Sequence, residues 1–525
     1  MTGSSSRSAP GGFPAFWLLL AIGVWLGVFA GLRPLMPEEA RYAGVAWDTL
    51  RAGSGFVPLM DGLPYVHKPP LFYWIAEVAF RLFGVNEWTA RAPSWLAAWG
   101  AVVATYAFVR HYRGATVAAV AAIVLATQPF FFGGAQFANL DMLVAAFIGM
   151  SIMAGATAVL QAAAERSWRR WIVAAAVAAA LGVLAKGLIG IVLPGVVLVA
   201  WLLATRRRHA WKVLFWPPAI VVFAAIAVPW FVAMQLRFPG FFDYFFVYQQ
   251  FDRYVESDFA NTQPFWFYLP VIAGLALPWS LWSGGLWHRA FWTDTATGRD
   301  LRWLMAVWVG VVVVFFSIPS NKLVGYAMPV LPAIAVLIAE VVVTAWRRTP
   351  ADYVKRAALA SLIVAMLVCT VGVWLADTNA KNSAKPLATE IGPQMQAGDT
   401  LVTLHTYPYD LSLYAGLREP AWIVYDWDGP DIARRDNWRR ELWDAGQFDT
   451  DAGEDVLVSF EETVTRMCSD PQRTFWFWGT LQDGESYRTL RGRSPQAIDG
   501  KKAVWRVVTD RAFKTAFCGE MPKAG

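Results

Sequence analysis

Hydrophobic residues in this chain gather into long, nearly unbroken blocks. The blocks cover about 13–32, 89–109, 115–133, 140–160, 171–185, 188–204, 213–232, 265–287, 303–319, 323–345 and 355–376. Runs of this length and purity read as membrane-spanning helices. The pattern therefore predicts a mostly α-helical, polytopic membrane protein with 11 to 13 spans. Longer polar stretches interrupt it at 33–88 and 233–264, and polarity returns for good after 376. Two segments of the 33–88 loop keep a helical period. EEARYAGVAWDTLRAG, 38–53, stops at a glycine, and PPLFYWIAEVAFRLFG, 69–84, opens on proline and closes on glycine. The second is apolar but too short to cross a bilayer, so it is expected to lie at the interface. The aromatic stretch FPGFFDYFFVYQQFDRY, 238–254, reads the same way.

From Asp377 onward the pattern changes. Alternating or compact apolar runs at 399–407, 419–426, 454–462, 474–479 and 502–510 predict strands. Helical patterns occupy 382–395 and 436–446. The expected organisation is a transmembrane domain over 1–376 and a mixed α/β domain over 377–525, with no internal repeat. The aromatic run TFWFWG, 474–479, reads as a core strand before it reads as a carbohydrate platform.

Composition supports the membrane reading. Of 525 residues 57% are hydrophobic and 16% charged, against about 25% charged in soluble domains. Many of the 29 Trp stand at block ends, where an interfacial indole is favoured. The net charge of +6 is modest, but its placement is informative. Arg110 and Arg113, Arg166 to Arg170, Arg206 to Arg208, Arg289 with Arg302, and Arg347 with Arg348 all follow even-numbered blocks. A cytoplasmic N-terminus puts every one of these clusters inside. That explains the basic clusters without a nucleic-acid partner. It also leaves 33–88, 233–264, the turn at 319–326 and the C-terminal domain outside. The first block lacks a small-x-small cleavage site and is read as the first span. Cys468 and Cys518 can pair if their domain is extracytoplasmic, whereas Cys369 lies in an apolar block. The cysteine spacing matches no metal motif.

Charged residues on the outer side are few and clustered. Glu38, Glu39 and Arg41 open the first loop helix, and His67 and Lys68 precede the Pro-Pro step. Lys322 sits in the turn PSNKLVGY. Two acids before a helix also serve as N-terminal caps, and the cations also serve as ion-pair or snorkelling groups. Taken together, the cations suit a phosphate at headgroup depth, and an acid suits activation of an acceptor. No P-loop, dinucleotide fingerprint or serine elbow is present. The energy for any reaction outside would arrive in the substrate, as it does in a lipid-linked phosphosugar.

The motifs PEEARYAGVAWDTLRAG, GLPYVHKPPLFYW, FGVNEWTARAPS, LAKGLIGIVLPG, QPFWFYLP and PSNKLVGYAMPVLP carry a resemblance. Over about 13–345 the chain resembles the membrane glycosyltransferases of the GT-C superfamily that use polyprenyl-phosphate sugars. Among these it is most similar to the aminoarabinose transferases of lipid A modification, with protein mannosyltransferases as relatives. The resemblance implies inverting sugar transfer from a polyprenyl-phosphate donor on the outer face of the bacterial inner membrane. It implies lipid A, another envelope glycan or lipid, or a protein as acceptor, and a monomer among membrane lipids. Glu38 matches the family's leading acid, with Glu39 as the neighbouring alternative. Arg41 and Lys68 match residues expected on the donor phosphate, and Lys322 and Tyr326 match further phosphate or pocket residues. Lys186 matches the lysine of a TKG motif, and Tyr42, His67, Tyr248 and Gln250 complete the expected pocket. In the aminoarabinose enzymes a Glu before the KPP lysine and a His in the aromatic loop are associated with a metal. Here those places hold His67 and Gln250, and glutamine is a poor zinc ligand. No cofactor is expected and a divalent metal is left open, with His67 and Glu38 as a rearranged pair. Two other readings compete: a flippase for lipid-linked saccharides, which would place charges along a path through the spans, and a non-enzymatic scaffold.

Overall fold

The computed structural model describes residues 13–207, 210–252, 262–293, 295–348, 352–378, 383–430, 432, 437–469 and 472–519. The chain forms two compact units. One comprises Met1–Arg33, Arg91–Leu236 and Phe242–Asn379; the other comprises Pro34–Ala90, Arg237–Phe241 and Ala380–Gly525.

The first, helical unit holds the hydrophobic blocks, and each block contains helix. Among the described residues, six helices are long and apolar enough to cross a membrane: Glu87–Arg113, Leu140–Ala163, Trp211–Arg237, Gly298–Ser317, Val324–Arg348 and Asp352–Thr378. Two bent pairs raise the number to eight. Against the expected 11 to 13 spans, the described residues thus hold six to eight helices or bent pairs of that length and apolarity. The difference has physical causes. Ile189–Ala204 has 16 residues, which rise only about 24 Å. Ala115–Thr127 and Pro129–Ala135 meet at 68°. Gln128, before the proline, is extended with ψ 123°, because the proline ring disfavours helix in the preceding residue.

Close packing within this unit depends on small residues. A Cβ on Gly190 would lie 2.2 Å from the carbonyl carbon of Gly182, so the helices carrying them touch backbone to backbone. Glu340 is 1% exposed and sits between two arginines. Arg113 Nη2 donates to its Oε2 at 2.7 Å, and Arg302 Nη2 donates to the same oxygen at 2.6 Å. Two cations that the sequence shows as flanking charges therefore grip a buried carboxylate. Pairing of this kind is what a charge inside an apolar bundle requires.

The second, mixed unit joins the 34–90 segment to the C-terminal region. Helix Pro37–Ala52 begins with proline and ends at Gly53, whose φ of 65° is the left-handed conformation that stops helices. A two-stranded hairpin follows, β1 (Leu59–Met60) and β2 (Leu63–Pro64). Its turn, Asp61-Gly62, has φ 51° and 87°, the pair of positive values that an Asp-Gly hairpin turn supplies. Helix Leu71–Phe83 closes at Gly84 and leaves Val78, Leu82 and Phe83 more than half exposed.

The sheet of this unit contains β3 (Thr400–Leu404), β4 (Trp422–Val424), β5 (Leu457–Val458), β6 (Thr474–Thr480), β7 (Ala497–Asp499) and β8 (Lys502–Val508). The order is β5-β4-β3-β6-β8-β7. β3 runs parallel to β4 and β6, and β8 runs antiparallel to β6 and β7. Strand β6 is the TFWFWG run. Phe475, Trp476, Phe477 and Trp478 are all 0–1% exposed. Trp476 and Trp478 pack on one face with Leu387 and Leu401, and Phe475 and Phe477 pack on the other with Val402 and Met467. It is a core strand. The expected strand at 454–462 shrinks to two residues between helices Thr450–Val456 and Phe460–Ser469. The side chain of Ser459 accepts the Glu462 N–H at 3.2 Å, so the S-x-x-E signal for a helix start overrides the apolar run. A disulfide joins Cys468 and Cys518.

Candidate active site

The acids of the first motif have separate fates. Glu39 is fully buried and accepts the Met36 N–H at 3.0 Å, capping its own helix. Glu38 is exposed in the same first turn. Arg41, one turn further on, is partly buried. Its Nη1 lies 3.4 Å from Glu441 Oε1, and its Nη2 lies 3.4 Å from the Tyr42 hydroxyl. The guanidinium lies 5.1 Å from the Tyr42 ring centre and 6.0 Å from that of Tyr409. Its Nε–H is buried and has no acceptor among the described residues.

Glu441 belongs to helix Trp438–Phe448. The Tyr65 hydroxyl donates to its Oε1 at 2.8 Å, and the Tyr409 hydroxyl donates to its Oε2 at 2.6 Å. Burial pushes this carboxyl up, but the Arg41 charge, His67 and the two tyrosine hydrogen bonds outweigh burial and bring it down to about 2. Tyr65 stacks on His67, with ring centres 5.1 Å apart. His67 is 5% exposed, with Nε2 3.9 Å from Asp444 Oδ2. Asp444 is one turn beyond Glu441 on the same helix. Lys68 follows, partly exposed, ahead of the buried Pro69 and Pro70.

A second buried network anchors the hairpin. Arg51 Nε lies 3.0 Å from Asp48 Oδ1, and its Nη2 lies 2.9 Å from Asp61 Oδ1. The Asp61 carboxylate also accepts the Ala421 N–H. This network ties the loop helix and hairpin to β4 within the same unit.

In the helical unit, Lys186 pairs with Asp141. The ammonium of Lys186 lies 4.8 Å from the Tyr326 ring centre, and Tyr326 stacks on Phe316 at 4.9 Å. Gly325 makes room for the acid, since a Cβ there would lie 2.3 Å from Asp141 Oδ2. Lys322 is 4% exposed and donates to the carbonyls of Pro319 and, at 3.0 Å, Gln263. Two of its three N–H groups thus hold the turn together. Tyr248 lies in the π-helix Asp243–Asp252 against Tyr244, with ring centres 5.6 Å apart. The side chain of Gln250 falls outside the described residues.

Among the described residues, no three His, Cys, Asp or Glu side chains form a metal-binding group. The carboxylate beside His67 is that of Asp444. Among the described residues this pair supplies two of the four donors that a tetrahedral zinc site takes.

Comparison with known proteins gives these clusters a context. The model of the dolichyl-phosphate-mannose-protein mannosyltransferase family matches residues 67–232. The undecaprenyl phosphate-alpha-4-amino-4-deoxy-L-arabinose arabinosyl transferase of Erwinia tasmaniensis is 30% identical over 310 residues, covering 59% of this chain and 55% of that protein. A Pseudomonas fluorescens transferase of the same description is 28% identical over 335 residues, covering 63% and 56%. The chain spans about half the length of these curated relatives. The crystal structure of ArnT from Cupriavidus metallidurans, bound to undecaprenyl phosphate, superposes with a TM-score of 0.76 at 22% identity, over 96% of this chain and 99% of that one. The chain shares the fold of the ArnT structure and is similar in sequence to the aminoarabinose transferases. That fold is a polytopic helical membrane architecture with a C-terminal α/β region.

Sequence reading missed the acids that organise both clusters. Glu441 and Asp444 were visible only as members of a helix, DNWRRELWDAG, and i,i+3 acids on a helix usually face water. Asp141 did leave a signal, because an acid in the first turn of an apolar block needs a partner. Asn139 caps that turn through the Asp141 N–H at 2.8 Å.

Proposed function

We propose that this chain is an inverting glycosyltransferase that moves a sugar from a polyprenyl-phosphate donor to an acceptor on the extracytoplasmic side of the membrane. The observation that carries this reading is the guanidinium of Arg41. It is tethered through one nitrogen to Glu441, while its buried Nε–H has no acceptor among the described residues. An anchored guanidinium with an unused donor suits a phosphate oxygen. The homology to transferases named for an undecaprenyl-phosphate sugar supports a donor of that class.

In this mechanism Arg41 and Lys68 neutralise charge that develops on the leaving phosphate. An acceptor oxygen attacks the anomeric carbon, and the bond from that carbon to the phosphate oxygen breaks. Polyprenyl phosphate departs with the electron pair, and the single displacement inverts the centre. A hydroxyl acceptor passes its proton to Glu38, and a phosphate acceptor needs no base. Glu38 suits this role better than Glu39, whose carboxylate already caps a helix. Lipid A, another envelope glycan or a lipid fits as acceptor. The Cys468–Cys518 disulfide favours an oxidising, extracytoplasmic setting for the mixed unit.

The test is purified protein with a panel of polyprenyl-phosphate sugars and envelope acceptors. Wild type releases polyprenyl phosphate, and Glu38→Ala and Lys68→Ala abolish or severely reduce the release. Wild-type rates in both variants would refute the site assignment. Elemental analysis addresses the metal independently: stoichiometric zinc, lost on His67→Ala, would overturn the reading that the relatives' metal site is absent.

A further inference from the structure

The two motifs that sequence reading treats as halves of one site, EEARYAG and VHKPP, meet at a carboxylate from the far end of the chain. Glu441 lies outside the 67–232 segment that the family model matches. It receives Arg41 from the first motif and Tyr65 from the segment leading into the second. Tyr409 supplies a third donor. Tyr65 in turn stacks on His67, the residue before Lys68, and Asp444 Oδ2 lies 3.9 Å from His67 Nε2. The side chain of Glu441 is 9% exposed. A buried carboxylate satisfied by three donors from three segments is a strong geometric constraint, because losing its charge leaves each donor to find another acceptor. Arg41 without this anchor is a flexible cation with several rotamers to lose on binding.

We infer that Glu441 is a positioning residue for donor-phosphate recognition, acting through Arg41 and, by way of Tyr65, through the His67-Lys68 segment. The C-terminal region is then part of the donor-recognition machinery and not an appendage to it. This inference rests on the proposed transferase reading.

The test uses the full chain in detergent or nanodiscs, with undecaprenyl phosphate as the binding probe and released polyprenyl phosphate as the turnover readout. Glu441→Gln keeps the side-chain shape and removes the charge. It is expected to weaken undecaprenyl phosphate binding and lower kcat/KM about ten- to a hundredfold, mainly through a raised donor KM. Glu441→Asp, which restores the charge, is expected to recover part of the loss. Tyr409→Phe removes a single hydroxyl, so it serves if the charge variant folds poorly. It is expected to shift KM in the same direction by a smaller factor. The exposed Glu485→Gln is the control and leaves both readouts unchanged. Wild-type KM in Glu441→Gln and Tyr409→Phe would overturn the inference while leaving the transferase reading intact. So would tighter binding in Glu441→Gln, which would make the carboxylate a competitor of the phosphate. Absence of both binding and turnover in wild type would instead defeat the transferase reading, and this inference with it.

Discussion

Replacing Gly44 with alanine sets local helix preference against tertiary packing, and the two give opposite signs. Gly44 is in helix Pro37–Ala52, away from its ends. Alanine there gains about 1 kcal/mol of helix propensity over glycine. Yet a Cβ at Gly44 would lie 2.4 Å from the carbonyl oxygen of Tyr409. The obstacle is backbone, not a flexible side-chain tip, so the helix or the 407–411 segment must retreat by about 1 Å to reach ordinary contact. Overpacking of this kind costs about 1–3 kcal/mol, and a rigid backbone contact belongs at the upper end. The net expectation is destabilisation of roughly 1–2 kcal/mol, read as a melting shift of roughly 2–8 °C for a unit of this size. The same retreat pulls the Tyr409 hydroxyl from Glu441, which it now reaches at 2.6 Å. Displacements near 1 Å at a positioned group can cost about a hundredfold in rate. Thermal unfolding of the purified full chain and a turnover assay measure the two effects. If Gly44→Ala melts at or above the wild-type temperature and turns over at the wild-type rate, the packing argument is wrong and helix propensity governs the position.

Other outcomes follow from the same structure. Glu340→Ala leaves Arg113 and Arg302 without their buried counter-charge, and loss of about 3–5 kcal/mol is expected in the yield and melting of folded protein. Replacing Cys468 and Cys518 with serine opens a loop of 50 residues. Chain entropy puts the cost at about 4 kcal/mol, read as a lower melting temperature than in the oxidised wild type. The Glu441 carboxyl titrates at about 2 in the folded protein, below its value of about 4.3 in an unfolded chain. Its contribution is therefore complete above about pH 5 and is lost as pH falls towards 2. Glu441→Gln should flatten the acid limb of a stability profile over that window, and an unchanged acid limb would contradict the assignment.

The sequence was sufficient wherever the cause is local. Each hydrophobic block contains helix, because apolar side chains in a long run determine both backbone pairing and burial. The helix over 37–52 begins and ends where proline and Gly53 require. The buried aromatic strand was also legible, whereas the sequence left the pairing of Cys468 with Cys518 open. Span counting from block length overshot where a proline bends one block and where another falls short of bilayer thickness.

What only the tertiary structure decided is which charges meet. Arg41 and Glu441 are 400 residues apart and Tyr65 and Glu441 are 376 apart, and no period or motif links positions so distant. Glu38 and Glu39 look interchangeable in sequence, yet one caps a helix and the other is exposed. Arg113 and Arg302 read as flanking charges, but folding brings Glu340 between them. The chain on its own determined the helices and the strand core, because hydrophobic runs and turn residues act over a few positions. The partner of each charge was decided by packing, since a buried ion is stable only beside a counter-charge and the fold alone determines where that counter-charge lies.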